Sequence, residues 1–157
     1  MAEAPLAVRD VCKSYVSPDG QRRDVLRGVG FTLPAAEAVA LVGRSGSGKS
    51  TLLHLAAGID VPTSGRVALA GHDLTALSER DRTLLRRRHV GLVFQFFHLL
   101  PHLTVLDNVA LPGWVAGMDG AAARRRAADL LDRVGMTGHG NDRASRLSGG
   151  EMQRVAL

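Results

Sequence analysis

The chain has 157 residues, 45% of them hydrophobic, and 20 lysines and arginines against 15 aspartates and glutamates give it a formal net charge of +5. That is enough apolar material for one domain with a real core, and no run approaches the roughly 18 apolar residues of a membrane span. Met1-Ala2-Glu3-Ala4-Pro5 has neither the basic nor the long apolar region of a signal peptide, and the single cysteine, Cys12, excludes an internal disulfide and fits a reducing compartment.

In chain order, Val8 to Tyr15, Val25 to Leu33 and Arg66 to Ala70 read as strands of an antiparallel layer, with Ser17-Pro18-Asp19-Gly20 as the turn between the first two. Val39-Ala40-Leu41-Val42 is a short apolar run of the buried-strand type, and His89 to Phe94 is a second. Both are expected in a parallel core sheet with a helix against it. Thr104 to Ala110, Ala121 to Val134 and Gly149 onward are expected to be helical, with Met118-Asp119-Gly120 and Thr137 to Asn141 as mobile connections.

Directly after the first apolar run comes Gly43-Arg44-Ser45-Gly46-Ser47-Gly48-Lys49-Ser50, of the form G-x-x-x-x-G-K-[ST]. Glycines at this spacing let the backbone wrap closely enough for its N–H groups to cradle phosphate oxygens, and the helix that follows points its positive end at the same anion. Lys49 is placed to reach the β- and γ-phosphates, the Ser50 hydroxyl to complete the coordination of Mg²⁺, and Thr51 to add an α-phosphate contact. Leu52, Leu53 and Leu55 continue with helical spacing, and Gly58 is placed to end that helix.

Near the other end stands Leu147-Ser148-Gly149-Gly150-Glu151-Met152-Gln153-Arg154. Ser148 and Glu151 have the spacing of a capping box, which accounts for a helix start but not for two adjacent glycines, each costing about 1 kcal/mol relative to alanine in a helix. Bare N–H groups at a positive helix end suit a second phosphate contact.

Taken together, these motifs resemble the ATP-binding subunits of ABC transporters over the whole stretch from Val8 to Leu157, with LSGGEMQR similar to that family's signature. The resemblance implies an α/β P-loop NTPase with a parallel core sheet, an antiparallel β layer and a helical signature arm: about 1–95 as nucleotide-binding core and β layer, about 96–157 as the arm. It implies ATP and Mg²⁺ as cofactors. Residues 43–51 would hold the nucleotide, and Tyr15, the one tyrosine, matches the aromatic that stacks on adenine. Gln95 would touch Mg²⁺ and the attacking water, so that Lys49 and Gln95 carry the catalytic roles and Ser50 and Gln95 the metal. Ser148, Gly149 and Gly150 would face ATP bound to the P-loop of a second subunit, so that a working site needs two chains.

The apolar segment from Phe96 to Pro112 would receive a transmembrane permease, at the cytoplasmic face of the inner membrane. Its run FQFFHLLPHLTVLDNVALP looks most like the subfamily of lipoprotein-release, macrolide-export and cell-division ATPases. In the family an aspartate-ended strand with a catalytic glutamate and then a switch histidine come after the signature, whereas only Val155-Ala156-Leu157 follow it here. The expectation is therefore a partial domain, incomplete at its C-terminus, inactive as an ATPase on its own and poorly soluble. His98 and His102 precede the signature and are interrupted by Pro101, so neither serves as the switch histidine or as a metal pair.

The alternative class is a soluble ABC-type ATPase of DNA repair or regulation. The repair and chromosome-structure members place a long coiled coil or other large insertion between the two motifs, and here the interval is compact. The arginine runs Arg86-Arg87-Arg88 and Arg124-Arg125-Arg126 read as solvated helix faces, since Ala127, Leu130, Leu131 and Val134 form the apolar stripe of the second. No nucleic-acid partner is expected.

Overall fold

The computed structural model describes residues 4–157, so that Met1-Ala2-Glu3 and the reading made of them lie outside the described residues. The chain divides into two compact units, with the division between Gly91 and Leu92.

The first unit is built on a four-stranded antiparallel sheet of order β2-β1-β3-β4, formed by β1 (Leu6–Val16), β2 (Arg22–Leu33), β3 (Ser64–Leu69) and β4 (His72–Asp73). The expected turn closes β1 onto β2, with the Ser17 N–H donating to Gln21 O and the Gly20 N–H to Ser17 O, both at 2.9 Å. The burial pattern of β1 is not a simple alternation. Strict period two would send Val8 and Val11 to opposite faces, yet both are buried, because the register shifts between them and Asp10 takes φ 48°. The irregularity resets the parity, so that Val11, Lys13 and Tyr15 follow one another on one face beyond it.

Two helices complete the unit: α1 (Lys49–Ala56) and α2 (Glu79–His89). Leu52 and Leu55 of α1 and Leu85 of α2 join Val8, Val11, Leu26, Val67, Leu69 and Leu74 in one buried cluster. Each such side chain contributes about 1.5–3 kcal/mol by leaving water. Gly58 ends α1 as expected: at φ 69° it lets its own N–H reach Leu55 O and the Ile59 N–H reach His54 O, the paired bonds of a left-handed helix stop.

The second unit carries α3 (Val105–Val115), α4 (Gly120–Arg133), a short 3₁₀ turn (Ala144–Arg146) and α5 (Gly149–Val155). Ala110 of α3 packs with Ala123 and Ala127 of α4, and Val105, Leu131, Met136 and Val155 form a neighbouring cluster. An isolated antiparallel bridge between Thr104 and Arg143 ties the entrance of α3 to the segment leading into the 3₁₀ turn.

Several expectations are corrected. Neither Val39–Val42 nor residues 90–94 is a strand: among the described residues neither joins a ladder, Val42 is 89% exposed, and Val39 and Val93 also face solvent. An isolated run has no ladder to take up its N–H and C=O groups, so apolarity by itself does not make a strand. Among the described residues the parallel core sheet is thus not formed. His89, placed at a strand start, is the last residue of α2, whose helical bonding continues through Val90 N–H to Arg86 O at 2.9 Å.

The helix at 104–110 runs on to Val115 with Pro112 inside it, since Pro112 gives up one donor but its carbonyl still accepts from Ala116 at 3.0 Å. Asp119 and Gly120 are not a loose connection: the Asp119 carboxylate accepts from the Ala122 N–H at 3.0 Å and caps α4, which Gly120 opens. Leu130 falls outside the buried stripe of α4, whose inward positions are Ala123, Ala127 and Leu131.

The arginine runs are not simply solvated either. Arg86 donates to Gly58 O at 2.6 Å, supplying a cation to the C-terminal end of α1. Arg124 pairs with Asp107 at 3.0 Å and lies over the Trp114 ring, 5.6 Å from its centroid.

Candidate functional site

The helix starts separate α1 from the rest. Ser78, Thr104, Asp119 and Ser148 each accept a backbone N–H bond at the heads of α2, α3, α4 and α5. Gly48 at the head of α1 has no side chain to do so, and the first turn holds no acidic residue. The first N–H groups of α1 and its positive end are therefore left for an outside anion. Gly48 is required on two counts. Its φ is 92°, and a Cβ there would lie 2.8 Å from Leu26 Cδ2 and 3.1 Å from Val25 O.

Lys49 lies across the loop, its Nζ donating to Gly43 O and Arg44 O at 2.9 Å each. Two of the three ammonium hydrogens are thus held by the backbone, which fixes the cation at the loop mouth and leaves one donor. Around it is an open hollow of about 430 Å³, within the range of small-ligand sites. Tyr15, Arg23, Val25, Ser45, Gly46, Gly48, Lys49, Ser50 and Thr51 line it.

Thus Tyr15 and most of the phosphate-loop residues come together as the sequence suggests. Gly43, Arg44 and Ser47 stand outside the lining, the first two acting through the carbonyls that hold Lys49. The donor set suits a triphosphate with Mg²⁺: uncapped helix N–H groups and an ammonium for anionic oxygens, and the Ser50 hydroxyl for a hard cation.

Three residues here carry no motif. Arg23 stands directly across the ladder from Tyr15, on the same face of the sheet, a neighbour visible only once the register is known. Lys13 is 9% exposed and donates to Asp60 Oδ1 and to Val61 O, both at 2.7 Å. Asp60 Oδ2 accepts from the Tyr15 hydroxyl at 3.1 Å. Burial would raise the Asp60 carboxyl, but hydrogen bonds from Lys13, the Val61 N–H and Tyr15 outweigh it, and the group is held below its ordinary value. The period-two spacing of Lys13 and Tyr15 hints at a shared face. Asp60, far along the chain, offers no such signal.

In the second unit, Gln95 is exposed at a turn. At α5 the capping box is complete. Ser148 Oγ donates to Glu151 Oε2 at 2.7 Å and accepts from the Glu151 N–H at 3.4 Å, while the Ser148 N–H donates to Glu151 Oε2 at 2.8 Å. The Ser148 hydroxyl and N–H hold the Glu151 carboxyl below its ordinary range. Gly149 and Gly150 are exposed, and a Cβ on either would meet nothing within 4 Å. Their backbone is open to close approach from outside.

Residues 26–157 match the ABC transporter family model. The chain is 49% identical over its whole length to the lipoprotein-releasing system ATP-binding protein LolD of Ruegeria pomeroyi, of which it covers 69%. To an uncharacterised ABC transporter ATP-binding protein of Mycobacterium tuberculosis it is 52% identical over 145 residues, 92% of this chain and 58% of that one. Among solved structures, the dimeric ATP-binding cassette MJ0796 bound to ADP and Pi superposes with a TM-score of 0.86 at 35% identity, over 96% of this chain and 66% of that one. The chain thus spans between 58% and 69% of the length of these relatives.

Proposed function

The chain belongs to the ABC transporter family, and from that premise we propose that it is the ATP-binding subunit of an export- or lipoprotein-release-type transporter. It binds MgATP, pairs with a second ATP-binding subunit and drives a membrane permease, working peripherally at the cytoplasmic face of the inner membrane. The observation that carries the reading is the uncapped head of α1 with the Lys49 ammonium strapped across the loop before it. Such a loop has a built-in demand for an anion, and the wall of Tyr15 beside it suits a base attached to that anion.

On this reading the α1 N–H groups and Lys49 hold the phosphates, Tyr15 the adenine, and Ser50 and Gln95 the metal. Bound Mg²⁺ neutralises phosphate charge and orients the triphosphate for attack by water. The open backbone of Gly149 and Gly150 supports a role for the signature on ATP held by the partner subunit, with Ser148 beside it. The similarity to LolD supports lipoprotein release as the finer assignment. Among the described residues no helix is long and apolar enough to cross a membrane, so on this proposal a permease supplies the membrane path. Phe96, 78% exposed, and the neighbouring exposed Phe94 and Leu100 are the apolar surface offered to it.

Replacing Lys49 by alanine tests the phosphate site. Calorimetric titration with MgATP is expected to show at least about tenfold weaker binding, the loss of one charge-assisted contact. Equal affinity in Lys49→Ala and wild type refutes the assignment.

A further inference from the structure

We propose that Asp60, together with Lys13, is a positioning residue that holds the Tyr15 ring in place as the wall on which the nucleobase stacks. The proposal rests on the nucleotide reading of the hollow and adds to it a reason why a half-exposed aromatic should keep one orientation.

Tyr15 is 43% exposed near the end of β1, where a free ring would sample several rotamers. Two contacts remove that freedom. The hydroxyl donates to Asp60 Oδ2 at 3.1 Å, which fixes the tip, and Lys13 Nζ lies 4.9 Å from the ring centroid, which engages one face. Lys13 is itself immobile, since its ammonium is nearly buried and bound to Asp60 Oδ1 and Val61 O. Asp60 is held in turn by the Val61 N–H at 2.7 Å. A rigid chain of polar contacts therefore leads from the 60–61 backbone to both the tip and one face of the ring. A ligand base is left the remaining face, beside the phosphate loop that lines the same hollow. A ring immobilised before binding loses less rotamer entropy when the base arrives, which raises affinity without any new contact.

The test separates the base from the phosphates. Wild type, Asp60→Ala and Tyr15→Phe are titrated calorimetrically with MgATP and with magnesium inorganic triphosphate, which has no base. Tyr15→Phe keeps the ring and the Lys13–Asp60 pair and removes only the hydroxyl, so it remains informative if Asp60→Ala, which strands a nearly buried ammonium, fails to fold. Both variants are expected to lose about fivefold in ATP affinity with triphosphate binding unchanged. Because Tyr15 is the sole tyrosine, ring-¹³C labelling gives one residue's signals. Their ATP-induced shift, present in wild type, should shrink in Asp60→Ala, which keeps the tyrosine. An unaltered ratio of ATP to triphosphate affinity in Tyr15→Phe overturns the positioning role, as does a full ring shift retained in Asp60→Ala. Parallel loss of both ligands in Asp60→Ala with Tyr15→Phe at wild-type values also overturns it, by making Asp60 merely structural. If wild type binds neither ligand, the nucleotide reading itself fails and this proposal with it, a result distinct from the other two.

Discussion

Lys13 shows how a single side chain can look unremarkable in the sequence and be decisive in the fold. A lysine in a strand is usually an exposed charge, but here the parity reset at Asp10 turns it inward with Val11, and burial obliges it to find a carboxylate. Asp60 supplies one, and the sign of its titration follows. The folded carboxyl lies below its ordinary value of 3.8, so protons bind the unfolded chain more readily. The pair's contribution is whole above about pH 4 and is lost as pH falls through the folded value. Asp60→Asn should therefore be less stable than wild type by on the order of 1–3 kcal/mol near neutral pH, because a hydrogen-bonded charge loses its counter-charge. The difference should narrow as pH falls below about 4. Denaturant melts at several pH values check this, and a gap that stays constant on acidification contradicts it.

At the scale of elements, the heads of the five α-helices among the described residues divide by what satisfies their first N–H groups, although of the side-chain caps only Ser148 was read from the residues and Asp119 was expected in a mobile connection. Ser78, Thr104, Asp119 and Ser148 are side chains that cap, while Gly48 cannot. The short α5, Gly149–Val155, is below the length at which an isolated helix holds in water, so its cap matters more than most. Ser148→Ala should cost about 1 kcal/mol of local stability and speed hydrogen exchange of the α5 amides about fivefold, without altering exchange in α1. Exchange in α5 that is indistinguishable from wild type argues against the box as its anchor. Acid should act in the same direction: Glu151 sits below its ordinary value of 4.5, so the box is intact above that value and opens as pH falls through the lowered one. Strand elements were less legible. Val39–Val42 and residues 90–94 have the composition of buried strands, but a strand is a relation between segments, and neither has a partner among the described residues.

For the molecule as a whole, each of the two units has its own buried cluster, and the phosphate loop and the signature glycines fall in different units. The proposed assembly brings the signature of one subunit to the ATP of another, which makes a concrete demand on Ser148. Ser148→Arg places bulk and positive charge beside the open glycines; nucleotide binding by the monomer should persist while ATP-dependent dimerisation is lost. Light scattering with and without ATP reads this out. An ATP-induced dimer of unchanged stability in the variant contradicts the composite-site reading.

The features that are local in the chain were legible in its residues: the glycine-rich loop with its lysine, the capping box at Ser148, the Gly58 stop of α1 and the turn at 17–20. Each depends on residues a few positions apart, whose backbone preferences and reach are set by covalent geometry. Family membership was legible for the same reason, since both motifs are short runs of neighbouring residues. Tertiary contacts settle which apolar runs find ladder partners, that Arg86 serves the end of α1, and that Lys13, Asp60 and Tyr15 meet. Those outcomes depend on segments tens of residues apart, and on a one-residue shift in β1 that changes which face every later side chain takes.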